Sequence, residues 1–218
     1  MSDRSDLPRF LVEAGVLRFG EFTLKSGKRS PYFLNFGEVR SGRTLARLGG
    51  FYADLLQQRL QSRFSILYGP PYKGIPLGVA TCQALWTEHR VDCGFLSYRK
   101  EGKAHGEGGD LLGTIPGPGD RIVMIDDVMT TGGAKLEAMD RVRHLGPVYT
   151  AVVVAVDRDE RESRGRTPAE NFERETGVPV LPLIGIRELV EALRRDGLIA
   201  AEHYDRVQRH LTAPGEDA

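Results

Sequence analysis

Cysteine is scarce in this sequence, and the little that is present forms no metal-binding pattern. Its two cysteines, Cys82 and Cys93, make no CxxC pair, and no cluster of histidines accompanies them. This spacing argues against a zinc site. Both residues stand among apolar neighbours, so we expect buried free thiols in a reducing compartment.

Long apolar runs and an excess of one charge are also missing. No apolar stretch reaches the roughly 18 residues of a membrane helix, and the N-terminal sequence MSDRSDLPRF lacks the apolar core of a signal peptide. Lys plus Arg and Asp plus Glu number 30 each, so the formal net charge is zero. We therefore expect a cytoplasmic protein that binds neither a membrane nor nucleic acid. A small anionic ligand remains compatible, because it needs only local positive charge.

The sequence does contain an alternation of helix-like and strand-like segments. Helical periodicity predicts helices over residues 7–14, 44–60, 75–86, 134–145, 186–194 and 200–210. Apolar and β-branched runs predict strands over residues 16–24, 32–36, 65–68, 93–98, 121–125, 149–156 and 180–184. Some of these strands are apolar on both faces, which is typical of an α/β fold with a mostly parallel twisted sheet flanked by helices. Such sheets bind their ligands at the carboxyl ends of the strands.

One strand is followed by a loop suited to an anion, although the common GxxxxGK[ST] and GxGxxG phosphate motifs are absent. The loop amides and the N-terminus of the helix that follows form a site for a phosphate monoester. Gly132 and Gly133 lack Cβ, so the backbone can approach a phosphate closely. Thr130 and Thr131 add hydroxyl donors and are expected to cap the helix.

Two acids, Asp126 and Asp127, stand between the predicted strand and this loop. A carboxylate about 4 Å from a phosphate is repelled by about 4 kcal/mol at an effective dielectric of about 20. The acids must therefore face hydroxyl groups, a metal or a developing positive charge. A ribose 5-phosphate meets both needs, with its phosphate in the loop and its vicinal hydroxyls at the carboxylates. The alternative is a plain strand cap followed by a glycine turn.

These residues resemble the phosphoribosyl diphosphate (PRPP) signature of type I phosphoribosyltransferases, an apolar strand followed by two acids and a TxxTG-type loop. The order and spacing of four further segments are similar to those of the orotate phosphoribosyltransferases: residues 22–27, 30–33, 69–76 and 99–109. The resemblance runs from about residue 19 to 158. It departs mildly at Leu34, where a second aromatic is often found, and in the charge-rich stretch 158–166.

The resemblance implies the type I phosphoribosyltransferase fold in three parts. Residues 1–40 form a hood that binds the base, residues 41–211 form the PRPP-binding α/β core with a mobile catalytic loop over 99–110, and residues 212–218 are a frayed tail. The implied reaction transfers the 5-phosphoribosyl group of PRPP to orotate, giving orotidine 5′-phosphate and pyrophosphate in the de novo synthesis of UMP. Mg²⁺ is the implied cofactor, held through pyrophosphate and ribose hydroxyls with no direct protein ligand.

The same resemblance assigns residues to three overlapping groups. Those that contribute to catalysis are Lys73, Arg99, Lys103, His105, Asp126 and Asp127, with Lys103 the strongest. Those that bind PRPP are Lys25, Tyr72, Lys73, Arg99, Lys100, Lys103, His105, Asp126, Asp127, Val128, Met129, Thr130, Thr131, Gly132, Gly133 and Ala134. Those that bind orotate are Phe33, Leu34, Thr130 and Arg158, with Phe33 and Leu34 acting through their backbone groups.

The glycine-rich loop is expected to close over the leaving group. Its cations would stabilise the charge that pyrophosphate gains as the C1–O bond breaks. In the resembled family this loop reaches the active site of a dimer partner, which implies a homodimer with shared sites. The alternatives are a solvated hairpin tip and, for His105, an ordinary polar loop residue.

Other assignments also have plainer alternatives. Residues 69–74 could form a rigid pyrophosphate loop with Lys73 as countercharge, or an ordinary strand–helix connection. Arg158 could pair with the orotate carboxylate or lie on the surface, and Phe33 could belong to the core. For the whole chain, the alternatives are an enzyme of the same fold acting on a purine or uracil, and a PRPP-sensing regulator without catalysis.

Overall fold

The computed structural model describes residues 4–24, 27–61, 63–100, 110–161 and 165–213, with only the backbone of Arg4. The helices are α1 (Leu7–Glu13), α2 (Gly42–Leu60), α3 (Gly74–Ala84), α4 (Gly133–Arg143), α5 (Pro168–Thr176), α6 (Ile186–Arg195) and α7 (Ala201–Thr212). The strands are β1 (Leu17–Thr23), β2 (Arg29–Leu34), β3 (Ile66–Tyr68), β4 (Gly94–Tyr98), β5 (Leu111–Gly113), β6 (Arg121–Met129), β7 (Val148–Asp157) and β8 (Val180–Gly185). Within these ranges, none of the helices is both long and apolar enough to cross a membrane.

The large sheet has six strands in the order β5-β4-β3-β6-β7-β8. All neighbours in it are parallel except β4 and β5. The predicted α/β fold with a mostly parallel sheet is therefore confirmed. Because β3 has β4 on one side and β6 on the other, the carboxyl ends of these three strands border one crevice, where sheets of this kind bind ligands.

Apolar residues on both faces explain why the sheet is covered by helices on both sides. In β7, Val153 and Ala155 belong to one apolar cluster, whereas Val152 and Val154 belong to another. The first cluster contains residues of α2 and α3, and the second contains residues of α4 and α5. A strand buried on both faces has no polar side to alternate with, which is how the run in β7 was recognised from sequence.

The N-terminal hairpin forms a separate two-stranded sheet from β1 and β2. Alternation along β2 buries Tyr32 and Leu34 in the first apolar cluster, together with residues of α1 and α7. The ring of Tyr32 meets His210 of α7 edge-on, with 6.2 Å between ring centroids. The hairpin therefore packs against α1 and α7 as well as against the core.

Helix α5 and strand β5 were not predicted from the sequence, and the burial of the two cysteines was predicted incorrectly. Helix α5 begins with a capping box in which Thr167 Oγ1 accepts from Glu170 N, and a proline follows the cap. Both signals are present in the charge-rich sequence, but they were not used to predict α5. Strand β5 is too short to give a recognisable sequence signal. Cys82 and Cys93 are half-buried rather than buried, with 3.7 Å between their Sγ atoms.

Candidate active site

The two acids lie inside strand β6 and not beyond its end, because β6 continues to Met129. Successive side chains of a strand point to opposite faces, so each acid meets a different layer of the fold. Asp126 faces α4, where Lys135 Nζ lies 2.7 Å from its Oδ2. Asp127 faces α3, where Lys73 Nζ lies 2.6 Å from its Oδ2. The sequence predicted these acids after the end of the strand, whereas the structure places them inside it.

Asp127 is almost completely buried, with 9% of its side chain exposed. Burial raises the pKa of Asp127, and the charge of Asp126 raises it further, while Lys73 and Lys135 lower it. Its Oδ1 accepts the backbone N–H of Val128 at 2.9 Å. The ionised form of this carboxyl thus depends on cations at both faces of the sheet.

Lys135 is a site residue that the sequence prediction missed. Its side chain is 5% exposed, and its Nζ also donates to Val128 O at 2.8 Å. The signal was the helical spacing, since residues 135, 138, 139 and 142 form one buried stripe of α4. A lysine on that stripe needs a partner inside the protein, and Asp126 supplies it.

The loop between β6 and α4 has the shape expected of a phosphate cradle. Gly132 has φ +81°, and a Cβ there would lie 3.1 Å from Phe172 Cδ2, so glycine is required. Thr130 and Thr131 are exposed, and Gly132 is the N-cap of α4 without any side-chain cap bond. The expected capping by threonine is therefore wrong. Neither hydroxyl is used as a helix cap, and of the first-turn amides Lys135 N donates to Gly132 O at 2.9 Å.

The loop over residues 69–74 is tightly folded. A Cβ on Gly69 would lie 2.2 Å from Gly74 O, and Ser97 Oγ donates to Gly69 O at 2.7 Å. The peptide bond Pro71–Tyr72 is cis. The close packing of Gly69 sets the backbone that carries Lys73 next to the end of β6.

Tyr72 and two residues that follow β4 also lie at this crevice. Tyr72 is 67% exposed, and Lys100 Nζ lies 5.2 Å from its ring centroid. Arg99 is half-buried, and its Nε has no hydrogen-bond partner among the described residues. Its backbone N–H donates to Asp110 O at 2.7 Å, which joins the two described ends of the loop that was predicted to be catalytic. The predicted residues Lys25, Lys103 and His105 lie outside the described part of the chain.

Arg158 follows β7 and is 12% exposed, so the surface alternative does not hold. Its guanidinium carbon lies 4.7 Å from the ring centroid of Tyr32. One of its terminal nitrogens donates to Glu160 Oε1 at 2.7 Å and to Ser30 Oγ at 3.4 Å. The N-terminal hairpin and the end of β7 therefore meet around this arginine.

Glu160 was also missed by the sequence prediction. Its Oε1 accepts from the hydroxyl of Tyr32 and lies 3.2 Å from His210 Nε2, in addition to its contact with Arg158. Burial would raise the pKa of Glu160, but hydrogen bonds from His210 and Arg158 outweigh it and lower the pKa to about 2. No local motif connects Glu160 with Tyr32 and His210, which are 128 and 50 residues away in sequence.

Phe33 and Leu34 occupy opposite faces of β2. Leu34 is buried, whereas Phe33 is 37% exposed and stacks on Phe22 with 5.5 Å between centroids. The core alternative for Phe33 is therefore wrong. The side chain of Leu34 is buried in the first apolar cluster, and the binding of orotate by its backbone groups stays a prediction.

Comparison with known proteins agrees with this geometry. The family "Phosphoribosyl transferase domain" matches residues 40–181. Orotate phosphoribosyltransferase of Pseudomonas paraeruginosa is 45% identical over 95% of this chain and 92% of its own length, and that of Vibrio vulnificus is 42% identical over 94% and 95%. The crystal structure of orotate phosphoribosyltransferase from Francisella tularensis has a TM-score of 0.79 and 31% identity, covering 92% of this chain and 95% of its own. This chain belongs to the orotate phosphoribosyltransferase family of type I phosphoribosyltransferases.

Proposed function

We propose that this chain transfers the 5-phosphoribosyl group of PRPP to nitrogen 1 of orotate, forming orotidine 5′-phosphate and pyrophosphate in pyrimidine biosynthesis in the cytoplasm. The observation that carries the proposal is the register between β6 and β7, in which Met129 pairs with Asp157. The phosphate loop and Arg158 therefore begin at the same level on neighbouring strands. A guanidinium there suits the carboxylate that distinguishes orotate from uracil.

Within the proposed reaction, the acid pair binds the ribose hydroxyls and favours positive charge on the ring as the C1–O bond breaks. Lys73 forms an ion pair with Asp127, but 52% of its side chain is exposed, so it can turn toward pyrophosphate. Arg99 and Lys100 supply further positive charge at the same end of the crevice. No covalent intermediate is required, because the base attacks C1 directly.

The described residues fit Mg²⁺ that is held mainly by substrate oxygens. Each aspartate in the crevice is engaged by a lysine, so the pair is not arranged as a carboxylate cage. When bound, Mg²⁺ would neutralise charge on the leaving pyrophosphate. In this proposal the residues of the chain orient the sugar and the base around that complex.

The proposed reaction is tested by following orotate absorbance after adding PRPP and Mg²⁺, with uracil and hypoxanthine assayed separately. We expect orotate to be turned over at an appreciable rate, and uracil and hypoxanthine not to be. Turnover of hypoxanthine or uracil without orotate would assign the chain to another base. Saturable PRPP binding without turnover of any base would indicate a PRPP sensor.

We further propose a homodimer in which the loop over residues 99–110 acts on the partner's site, with Lys103 as its main catalytic group. A Lys103→Ala variant should lose far more kcat than PRPP affinity. Mixing it with Asp127→Asn should restore partial activity, because one of the two sites in a heterodimer is then intact. Verified heterodimers that stay inactive would argue for sites complete within one chain.

A further inference from the structure

A buried lysine lies directly behind the acid pair. Lys135 is 5% exposed, and its only two partners among the described residues are Asp126 Oδ2 at 2.7 Å and Val128 O at 2.8 Å. A buried ammonium is costly unless it is paired and hydrogen-bonded. Here one partner is a side-chain oxygen and the other a backbone carbonyl, both from the last residues of β6. Its helix, α4, begins at the phosphate loop, so the lysine ties that helix to the acids.

The two lysines of the crevice differ in their freedom. Lys73 is half-exposed and can leave Asp127 for a ligand, whereas Lys135 is enclosed by α4 and β6. Lys135 engages Oδ2 of Asp126, which leaves Oδ1 directed elsewhere for a sugar hydroxyl. When Lys73 turns to pyrophosphate, Lys135 becomes the cation that remains with both acids.

We propose that Lys135 is a positioning residue for the phosphoribosyl transfer, which fixes Asp126 by one oxygen and keeps the acid pair negatively charged while the sugar is bound. This inference rests on the proposed function, because it takes the acids to face the ribose hydroxyls. It assigns Lys135 no contact with substrate.

The charged and titratable groups around the acids are few in the described chain. From α2, the Tyr52 hydroxyl donates to Asp126 O at 2.6 Å, and burial raises the pKa of Tyr52 well above its usual value. From β4, the pKa of Tyr98 is also raised by burial. Both tyrosines are thus neutral over the working range, and the acids are balanced by Lys73 and Lys135.

The test compares Lys135→Met with wild type by the pH dependence of kcat/KM for PRPP. An opposite charge this close shifts a carboxyl by about 1 to 3 pKa units. We therefore expect the acidic limb to move up, with about a 10-fold loss of kcat/KM on that limb for each pH unit of displacement and recovery at higher pH. The KM for orotate should change little. Recovery at high pH also shows that the variant is folded.

The matched control is Arg143→Met, which removes one positive charge from an exposed position of the same helix. Arg143→Met should leave the acidic limb where it is in wild type. Lys135→Arg, which keeps the positive charge, should shift that limb only slightly. A loss of the same size at every pH would show that Lys135 only packs the helix. No loss at any pH would overturn the proposal as well.

A measurement without turnover separates this inference from the proposed reaction. Carboxyl ¹³C shifts of labelled aspartates, assigned with Asp126→Asn and Asp127→Asn, report the ionisation of the pair directly. We expect Asp127 to be ionised near neutral pH in wild type and to lose ionisation there in Lys135→Met. If Lys135→Met does not fold, wild type decides, since an acid still protonated above about pH 7 would contradict the proposal. Failure to turn over orotate would leave this result untouched.

Discussion

The two ends of the crevice are built in different ways. The proposed sugar-phosphate end is carried by one strand–loop–helix segment, β6 to α4, in which the acids and the predicted phosphate loop are consecutive. The proposed base end is assembled around Glu160 from Tyr32, which is 128 residues away, and His210, which is 50 residues away. A contiguous segment can keep its geometry through local backbone structure, whereas the base end depends on the packing of β2 and α7 against the core.

The two ends also differ in how the charge of their buried carboxyl group is stabilised. At the proposed sugar end, burial raises the pKa of Asp127, so its charge depends on the nearby lysines and on the N–H of Val128. At the base end, hydrogen bonds from His210 and Arg158 lower the pKa of Glu160 to about 2 despite burial. The sugar end is thus adjustable by ligand charge, and the base end is locked before the ligand arrives.

The largest effect is expected at the sugar end, from Asp127→Asn. This change removes the buried charge that faces the reacting sugar, and it should lower kcat by about 10²- to 10³-fold for any base. Steady-state kinetics with orotate and with 5-fluoroorotate as a second base would measure it. A loss confined to one base would mean that the two ends are not separate.

Arg158→Met should affect the base end alone. Losing a charged hydrogen-bond partner costs about 1.5–3 kcal/mol, so KM for orotate should rise about 10- to 100-fold with KM for PRPP unchanged. The control is Arg166→Met, an exposed arginine in the same stretch, which should behave as wild type. Equal losses of orotate and PRPP binding would argue that Arg158 supports the fold and not the base.

The contrast also explains how much of the site could be predicted. Asp126, Asp127 and the glycine loop were found because they are adjacent in sequence. The contacts of Glu160 with Tyr32 and His210 could not be, because only tertiary packing brings these two residues to the end of β7. Lys135 lay between these cases, since its helical spacing was visible but was not used.

Glu160→Gln tests whether the base end is locked before ligand arrives. The folded pKa of Glu160, about 2, lies below the usual 4.5, so its charge stabilises the fold above about pH 4.5 and this is lost as pH falls toward 2. At neutral pH the variant should lose up to about 3 kcal/mol of unfolding free energy and bind orotate about 10-fold more weakly. Urea unfolding at several pH values measures the first, and a pH-independent loss would contradict it.

The smallest effect is expected at the junction of the two ends, from Asp157→Asn. Burial raises the pKa of Asp157 to about 6 from 3.8, so the wild-type fold is favoured below about pH 4 and loses that stability as pH rises through 6. The asparagine keeps Oδ1 as an acceptor for Asp159 N at 3.1 Å and carries no charge. The variant should therefore gain about 1–2 kcal/mol of unfolding free energy near pH 7.5 and almost nothing near pH 4. Asp140→Asn, on the exposed face of α4, should show no such pH-dependent gain; if it did, the effect would belong to net charge and not to the buried strand end.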